Sequence, residues 1–308
     1  MEYVDNSILQ SYAKCKTAAV LEYVYHLRMS GGGIYAQAGK SVHLARAEFW
    51  RGRGHKECLK VFDADYKDYA AEYVTVDALS WQNIRDILEE CMKKRPVENY
   101  PFIPVVDMVE QGVEIEFMDG VKYWATIDCP AREKETEIMV AVDTKGRMGS
   151  KISPWWTKKF RIGSQMTGYI WALWQLTGEF SGKAYIDAIQ FTKLPGNVDR
   201  RCAIHKMPYR ECRLEHAEWQ LLLVRRRMEV VVEWLKEAKR LTGEFLRWKE
   251  TLEGAGLRRE LIGMVPMDGV FTEACTFCGF LDWCKQGRPI GGMEDMEGFR
   301  WEPWGVGG

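Results

Sequence analysis

The sequence predicts a mixed α/β protein whose core elements follow the order helix, three strands, helix, strand. Three observations support this class. Apolar residues recur at helical spacing in several segments, strand-like segments separated by turn residues occupy positions 113–142, and the composition is ordinary for a globular protein. With 308 residues, 46% of them hydrophobic, the chain is long enough to bury a large core without a disulfide framework.

The predicted helices of the N-terminal third are separated by glycine and proline. The first covers residues 7–29, with Ser7 as its N-cap, and the glycines at 31–33 end it. A second helix extends from Gly39 to Trp50. A third covers Ser80–Lys94 and stops before Pro96.

The predicted strands follow. They are Val113–Phe117, Lys122–Ile127 and Glu137–Val142, with a hairpin turn between the first two. A helix over residues 158–176 and a strand over 184–191 complete the core. A long amphipathic helix over residues 214–252 comes next, with the arginines at 225–227 on its solvated face, and a short tail rich in glycine, cysteine and tryptophan ends the chain.

The charge balance excludes a strong overall field. Lysine and arginine number 43 against 44 acidic residues, a net charge of -1, so polyanion binding must come from a local patch. The nine cysteines and the absence of an apolar leader predict a protein of the reducing cytoplasm. The longest uncharged apolar stretch, Tyr169–Leu176, is far below the ~20 residues of a membrane helix, so we expect no membrane partner.

One glycine-rich segment, residues 33–41, is superficially similar to a phosphate-binding P-loop. Five residues separate Gly33 from the Gly39-Lys40-Ser41 triplet, whereas that loop needs four, and a helix rather than a strand precedes the segment. We therefore interpret it as a loop that enters the next helix.

Two acidic residues stand at the ends of neighbouring predicted strands. Asp128 follows one strand, and Asp143-Thr144-Lys145 follows the next. If these strands pair as a hairpin, both carboxylates emerge at one edge of the sheet, with the lysine on the face of Asp143. Such a pair can hold Mg²⁺ with part of its shell open to water and phosphate oxygens. The alternative is two strand-end aspartates beside a solvated lysine.

Three further residues favour the metal-binding interpretation. Gln165 and Tyr169 lie one helical turn apart and share a helix face. His43 lies in the first turns of the second helix, where its imidazole offers a further ligand. A lone histidine on an amphipathic helix is more often a core residue, but here it accompanies the acidic pair.

The set Gly39-x3-His43, Asp128, Asp143-x-Lys145 and Gln165-x3-Tyr169 resembles the PD-(D/E)XK nuclease superfamily, in its RecB/Cas4-like branch. The resemblance implies a single nuclease domain over residues 1–308, with a restriction-endonuclease-like core at about 38–192 and N-terminal helices. It also implies a helical extension over 200–260 and a Cys-rich segment over 271–290 that packs on the helix carrying Cys15. Thr126, where the family often has glycine, and Gly146 depart from its pattern.

The resemblance also implies the roles of these residues. The ligands of a Mg²⁺ or Mn²⁺ ion would be His43, Asp128, Asp143 and the backbone carbonyl of Thr144. Lys145 would be the catalytic lysine, and Gln165 and Tyr169 would position the DNA or the metal-bound water. The implied activity is hydrolysis of DNA phosphodiester bonds by a metal-activated water, preferably as an exonuclease on linear or single-stranded ends.

The cysteine tail supplies three soft ligands in Cys275-x2-Cys278-x5-Cys284, one fewer than a tetrahedral site requires. In RecB/Cas4-like nucleases with a cluster, one further cysteine precedes the Gly-x-x-x-His helix, and Cys15 occupies that position. The resemblance implies a [4Fe–4S] cluster held by Cys15 and the three tail cysteines. A Zn²⁺ ion on the same four residues is the alternative, and unliganded buried thiols are the remaining one.

A second group, Cys202-x2-His205 with Cys212 and His216, allows two interpretations. It could form a zinc knuckle on a basic segment, with its last two members one helical turn apart. We favour separate solvated or core side chains.

DNA binding by this chain requires local positive charge. Four basic residues cluster between the acidic pair and Gln165, namely Lys151, Lys158, Lys159 and Arg161. Trp155 and Trp156 lie among them and could stack on unpaired bases. An ordinary solvated face is the alternative.

We therefore expect a stand-alone nuclease, or the nuclease subunit of a complex with a helicase or recombination protein. It would act in DNA recombination, repair, replication or processing and be bacterial or phage-encoded. The alternative is a non-catalytic or partner-activated nucleic-acid-binding protein that retains the nuclease fold. The intact set of Asp128, Asp143 and Lys145 argues against it, since a binding module needs no such combination.

Overall fold

The computed structural model describes residues 2–29, 33–74, 77–149, 151–192, 199–257, 259–265, 275, 278–285 and 299–301. In chain order, its helices and strands are β1 (Glu2–Asp5), α1 (Asn6–Lys14), α2 (Lys16–Tyr23), β2 (Leu27–Met29), α3 (Ile34–Trp50), α4 (His55–Tyr73), α5 (Trp81–Lys94), β3 (Phe102–Pro104), β4 (Gly112–Met118), β5 (Val121–Thr126), β6 (Cys129–Glu133), β7 (Met139–Gly149), α6 (Pro154–Ile162), α7 (Ser164–Thr177), β8 (Lys183–Thr192), α8 (Tyr209–Cys212), β9 (Trp219–Arg225), α9 (Met228–Gly254), α10 (Leu281–Lys285) and β10 (Phe299–Trp301). None of the described helices combines the length and apolar character needed to cross a membrane.

These elements form two compact units. The first comprises Met1–Gly32, Val113–Ala125 and Glu229–Gly308, and the second comprises Gly33–Gly112 and Thr126–Met228. Every residue of the predicted catalytic centre lies in the second unit, whereas the four cysteines of the predicted cluster lie in the first.

A five-stranded mixed sheet of order β3-β6-β7-β8-β9 forms the centre of the second unit. β6 and β7 make an antiparallel hairpin, β7 and β8 run parallel, and β9 is antiparallel to β8 at the edge. Helices α6 and α7 provide the crossover that two parallel neighbours require. The segment 139–142 of β7 is apolar and buried throughout, as expected for a central strand covered on both faces.

Three helices complete the second unit. α3 buries Ala38, Val42, Ala45 and Phe49, which recur at helical spacing. α4 packs against α3 and also against α5. α5 matches the helix predicted from Ser80, whose hydroxyl caps it by accepting the Asn83 backbone N–H at 3.3 Å. α4 was not predicted. The mixed α/β class is confirmed.

The strands of the core differ from those predicted. The first two predicted strands, β4 and β5, pair with β1 in a sheet of order β1-β5-β4 that belongs to the first unit. The core hairpin instead uses β6, which sequence patterning did not reveal. β6 is only five residues long and contains Pro130, Arg132 and Glu133, a composition typical of a loop.

The long helix predicted over residues 214–252 is wrong at its beginning. Residues 219–225 form β9, and α9 begins only at Met228. Leucine-rich sequence suits a helix or a strand, and pairing with the edge of β8 decides the outcome. Arg226, expected on a solvated helix face, instead donates to Thr167 Oγ1 at 2.9 Å and to the Gly163 carbonyl at 3.2 Å, where α7 begins.

Two other predicted helices are each divided. The helix predicted over residues 158–176 is α6 and α7, with a break at Gly163, where a Cβ atom would lie 2.7 Å from the Lys159 carbonyl oxygen. The helix predicted over residues 7–29 is α1 and α2, which meet at Cys15 in extended conformation, and the prediction is wrong at its end, where residues 27–29 form β2. Asp5, not Ser7, caps α1, because its carboxylate accepts the Ile8 N–H at 2.7 Å.

The first unit is organised around α9, whose buried residues recur along one face. Phe245 of α9 contacts Tyr12 of α1 edge to face at a centroid distance of 5.6 Å. Glu244 pairs with Lys16 of α2 at 2.6 Å. These contacts bind the first two helices to the long helix.

Candidate active site

The β6–β7 hairpin brings two carboxylates together at its open end. Asp143 was predicted to follow its strand, but β7 continues to Gly149 alongside β8, so Asp143 lies within the strand. Asp128 immediately precedes β6, and Asp143 lies in β7 next to Val142, which pairs with Cys129. The Thr144 backbone N–H donates to Asp128 Oδ2 at 2.7 Å and orients that carboxylate. Asp128 and Asp143 therefore meet at the open end of this hairpin, although β6 rather than β5 pairs with β7.

His43 and Glu110 join this edge from outside the hairpin. His43 Nδ1, on α3, lies 3.0 Å from Asp128 Oδ2 and 3.9 Å from Glu110 Oε1. One ligand atom from each of these three residues lies within 4.8 Å of the others. Glu110 was not predicted. It reaches the site because its backbone N–H donates to the Asp128 carbonyl at 3.3 Å, in a left-handed turn that no motif spacing reveals.

Lys145 forms an ion pair with the buried Asp143. Its Nζ atom lies 2.8 Å from Asp143 Oδ2 and 3.1 Å from Oδ1. The Asp143 side chain is fully buried, whereas that of Lys145 is 24% exposed, so the ammonium group reaches toward solvent. Within the described part of the chain, Asp143 Oδ2 accepts no hydrogen bond of good geometry despite the short contact with Nζ.

The electrostatics of the site reflect burial and the mutual influence of two carboxylates and two basic groups. Burial raises the pKa of Asp143 to about 6; Lys145 opposes this rise and Asp128 adds to it. Burial also favours the neutral form of Asp128, but the His43 charge outweighs it and holds the pKa of Asp128 below its usual value. The pKa of His43, which burial alone would lower, rises to about 10 because of the Asp128 carboxylate.

This donor set fits a divalent cation. Mg²⁺ and Mn²⁺ prefer carboxylate oxygens, and imidazole is an acceptable additional ligand. The raised pKa of the buried Asp143 indicates a carboxylate that added positive charge would stabilise in its ionised form. Thr144 contributes its backbone N–H to Asp128, and its hydroxyl is buried without a hydrogen-bond partner in the described residues.

Gln165 and Tyr169 form a pair of their own on the first two turns of α7. Gln165 Nε2 donates to the Tyr169 hydroxyl at 3.0 Å. α7 packs against β7 and β8, and Arg226 anchors its beginning. The pair is therefore placed on the helix that covers the strand carrying Asp143 and Lys145.

The predicted DNA-binding residues are not all exposed. Lys151, Lys158, Lys159 and Arg161 are exposed, and Trp155 is 80% exposed. Trp156, in contrast, is 5% exposed and packs against Phe160 at 4.7 Å. Because consecutive helical residues point about 100° apart, only one of the two tryptophans faces solvent. The Trp156 ring is therefore buried in this structure, and Trp155 is the tryptophan whose ring is open to a base.

A cavity of about 240 Å³ adjoins β7, the strand that carries Lys145. Its walls include Tyr35, Ala38, Gly39, Gly146, Arg147 and Trp156. A Cβ atom at Gly39 would meet nothing within 4 Å, so packing does not require glycine there. Gly39 and Gly146, the residue after Lys145, both line this cavity, and the space beside Gly39 is open.

The cysteines of the predicted cluster lie close together in the first unit. Cys15 stands between α1 and α2, and Cys278 and Cys284 pack on one small apolar cluster, formed by Leu21, Leu27 and Phe280. Burial raises the pKa of Cys278, and Cys15 and Cys275 add to this rise. Two groups of ligand atoms in the described residues are tight enough for one metal ion, and neither contains these cysteines.

Comparison with known proteins identifies the family. A search of curated proteins finds no match. The family model of the PD-(D/E)XK nuclease superfamily matches residues 6–285, most of the chain and all the site residues described above. The match and the α/β architecture agree on a restriction-endonuclease-like fold. The chain belongs to the PD-(D/E)XK nuclease superfamily.

Proposed function

We propose that this protein is a metal-dependent DNA exonuclease that acts on linear or single-stranded ends. One observation carries the proposal: His43, Asp128, Asp143 and Lys145 converge at one end of the β6–β7 hairpin. Burying two carboxylates beside a lysine costs folding free energy. Such groups concentrate at catalytic sites, and a nucleic-acid-binding protein without activity has no need of them. The process served would be DNA recombination, repair, replication or processing, with a helicase or recombination protein as a partner.

His43, Asp128 and Asp143 would hold the Mg²⁺ or Mn²⁺ ion, together with Glu110. The ion, when bound, lowers the pKa of a water molecule and stabilises negative charge on a phosphoryl oxygen. Asp128 is oriented for this role by the Thr144 N–H, and we propose the Thr144 backbone carbonyl as a further contact to the metal.

Lys145 would neutralise the charge that develops on the scissile phosphate. The pKa of Lys145 is raised above its usual value, since Asp143 and Asp128 outweigh the opposing effect of burial. The side chain therefore keeps its positive charge at neutral pH. We propose that Gln165 and Tyr169, held by their mutual hydrogen bond, position the DNA beside it.

The exposed basic residues of α6, with Lys151, would bind the DNA backbone. Lys159 links this surface to the catalytic centre: burial lowers the pKa of Lys159, and the charges of Lys145 and Arg147 lower it further. The lysine is therefore within electrostatic reach of Lys145. Trp155 offers a free aromatic face on which an unpaired base can stack.

A cleavage assay on end-labelled single- and double-stranded linear DNA tests the proposed activity. With Mg²⁺ or Mn²⁺, we expect stepwise shortening from the ends, and none with a chelator. Lys145→Ala should lower the rate by about 10²–10³-fold, the usual effect of removing a group that stabilises transition-state charge. Lys60→Ala, at an exposed position on α4, should retain wild-type activity.

The same assay distinguishes the alternatives. Internal fragments from circular DNA would contradict the exonuclease mode. A folded wild type that binds DNA but cleaves no substrate would contradict the nuclease proposal itself.

Trp155→Ala should raise KM for single-stranded DNA about fivefold or more, because stacking one base contributes about 1–3 kcal/mol. Tyr73→Ala, at another exposed aromatic residue, should leave KM unchanged.

We further propose that Cys15, Cys275, Cys278 and Cys284 bind a [4Fe–4S] cluster. A single zinc ion draws its four sulfur ligands to within about 3.8 Å of one another, and these cysteines do not form so tight a group among the described residues. A cluster suits wider spacing, since each sulfur binds a different iron.

Visible absorption of anaerobically purified protein tests the cluster. We expect broad absorption from sulfur-to-iron charge transfer, with about four iron atoms per chain, and its loss in Cys278→Ser. A colourless protein that contains zinc at these cysteines would support the zinc alternative.

A further inference from the structure

We propose that Cys202, His205, Cys212 and His216 bind a structural Zn²⁺ ion in the connection between β8 and β9. This site lies in the second unit and is distinct from both the catalytic centre and the cysteines of the first unit. It does not depend on the proposed nuclease activity.

The segment folds so that its four polar side chains converge. Arg201 and Pro208 form an isolated antiparallel bridge, and the Cys202 N–H donates to the Met207 carbonyl at 2.8 Å. The tight turn between them presents Cys202 and His205 from one side. The short helix α8 and the turn that follows present Cys212 and His216, which lie four residues apart.

The distances between ligand atoms match a tetrahedral zinc site. Zn–S bonds of about 2.3 Å and Zn–N bonds of about 2.0–2.1 Å place neighbouring ligand atoms about 3.3–3.8 Å apart. His216 Nε2 lies 3.3 Å from Cys202 Sγ and 3.5 Å from Cys212 Sγ, and Cys202 Sγ lies 3.7 Å from His205 Nδ1. All four ligand atoms lie within 4.8 Å of one another.

The chemistry of the donors selects the metal. Two sulfur and two imidazole ligands suit Zn²⁺, whereas Mg²⁺ and Ca²⁺ require oxygen. Both cysteines are buried, with exposures of 1% for Cys202 and 0% for Cys212. Because the chain itself supplies all four ligands, no position remains open for a substrate, and the site is structural rather than catalytic.

The surroundings of the two histidines are those of metal ligands. His205 presents Nδ1 to the sulfur and Nε2 to Glu215 Oε2, at 3.2 Å. A carboxylate on the second ring nitrogen is the usual partner that fixes the orientation of a ligating histidine. The His216 ring stacks on Tyr209 at a centroid distance of 5.6 Å, and its backbone carbonyl accepts a hydrogen bond from Gln190 of β8 at 3.2 Å.

A structural ion explains how this connection holds its shape. The turn has little apolar surface to bury, and Ile204 at its tip is 73% exposed. Zinc binding supplies folding free energy where a small segment lacks a core. The site would thereby fix the path of the chain from β8 into β9, the edge strand of the central sheet. Sequence reasoning favoured separate side chains here, since nothing in the sequence showed that the two pairs meet.

Metal analysis of the full-length protein tests the proposal. Protein purified with reductant and without added metal should contain close to one zinc per chain. The double variant Cys202→Ser/Cys212→Ser should lose it. Two variants should retain the zinc: His43→Ala, which alters the catalytic centre, and Cys278→Ser, which alters the cysteines of the first unit.

A second measurement on the wild-type chain covers the case in which the double variant fails to fold. After exchange with Co²⁺, the protein should show the visible bands of tetrahedral cobalt together with thiolate-to-cobalt charge transfer. Folded wild type without zinc after dialysis against Zn²⁺ would overturn the proposal. So would zinc that is lost from His43→Ala or Cys278→Ser but retained by the double variant.

Discussion

Replacing Asp143 by asparagine is expected to lower DNA cleavage by about 10²–10³-fold or more and to weaken Mn²⁺ binding in parallel. Asp143 is the most buried carboxylate of the site and the partner of Lys145. Asparagine has the same shape but no charge. Its neutral carbonyl oxygen attracts a divalent cation less strongly than a carboxylate and cannot balance the charge of the lysine, so one substitution weakens two functions of the site.

The stability of this variant should separate a chemical defect from a folding defect. Burial raises the pKa of Asp143 to about 6, which means that the folded protein binds a proton at this group more tightly than the unfolded chain does. The charged form therefore opposes folding at pH 7, and this cost decreases as the pH falls through 6. An uncharged isostere should leave the melting temperature of the metal-free protein unchanged or raise it.

Thermal unfolding with and without Mn²⁺, and calorimetric titration with Mn²⁺, measure both effects. Wild type should gain stability with Mn²⁺ because the ion binds only the folded state, and Asp143→Asn should gain much less. Asp107→Asn, at an exposed position of the same unit, is the matched control and should behave as wild type. A full Mn²⁺-induced shift in Asp143→Asn would show that this carboxylate is not a metal ligand.

The residues of the hairpin were accessible to sequence reasoning because strand geometry constrains them. Alternation along a strand places Asp143 and Lys145 on one face whatever the neighbouring strands are. Asp128 was located correctly although the wrong strand was paired with β7, since β5 ends just before β6 begins and the aspartate lies between them. The local sequence at this chain reversal thus predicted the position of Asp128 better than it predicted the pairing of the strands.

Glu110 and the Cys/His group were not predictable in the same way. Each depends on a backbone turn whose position no period or motif specifies: Glu110 and Lys206 both have positive φ. Glu110 reaches the site through a hydrogen bond between distant segments, from its N–H to the Asp128 carbonyl, and the Cys/His group is assembled by the local turn at residues 202–207. The strand β9 was missed for a related reason, because the edge of β8 selects its conformation.

Local sequence also could not predict the ion pair between Arg46 of α3 and Asp187 of β8. Arg46 Nη2 donates to Asp187 Oδ2 at 2.5 Å and to the Tyr100 hydroxyl at 3.1 Å, and Tyr100 in turn donates to Asp187 Oδ1 at 3.2 Å. All three residues are at most 1% exposed. Sequence reasoning gave no sign of an arginine and an aspartate, 141 residues apart, buried together.

Asp187→Ala is expected to lower the free energy of unfolding by about 3–5 kcal/mol, because it leaves the Arg46 charge buried without its counter-ion. The guanidinium also lies over the rings of Phe49 and Trp50, at 4.1 and 4.4 Å, and these contacts do not replace a carboxylate. Urea unfolding of the purified variant measures the loss. Lys93→Ala, which removes a half-exposed ion pair on α5, should cost less than about 1 kcal/mol.

The double variant Arg46→Met/Asp187→Leu should recover most of this stability, since an apolar pair of similar volume avoids the desolvation of two charges. If it is as unstable as Asp187→Ala, the loss arises from packing and not from the unpaired charge.

The double variant also tests whether the Arg46–Asp187 pair positions the proposed metal ligands. Arg46 lies one turn after His43 on α3, and Asp187 pairs with Thr144, between Asp143 and Lys145, in the β7–β8 register. A stable double variant with weakened Mn²⁺ affinity would show that the pair aligns His43 with the carboxylates. Unchanged affinity would restrict its role to stability.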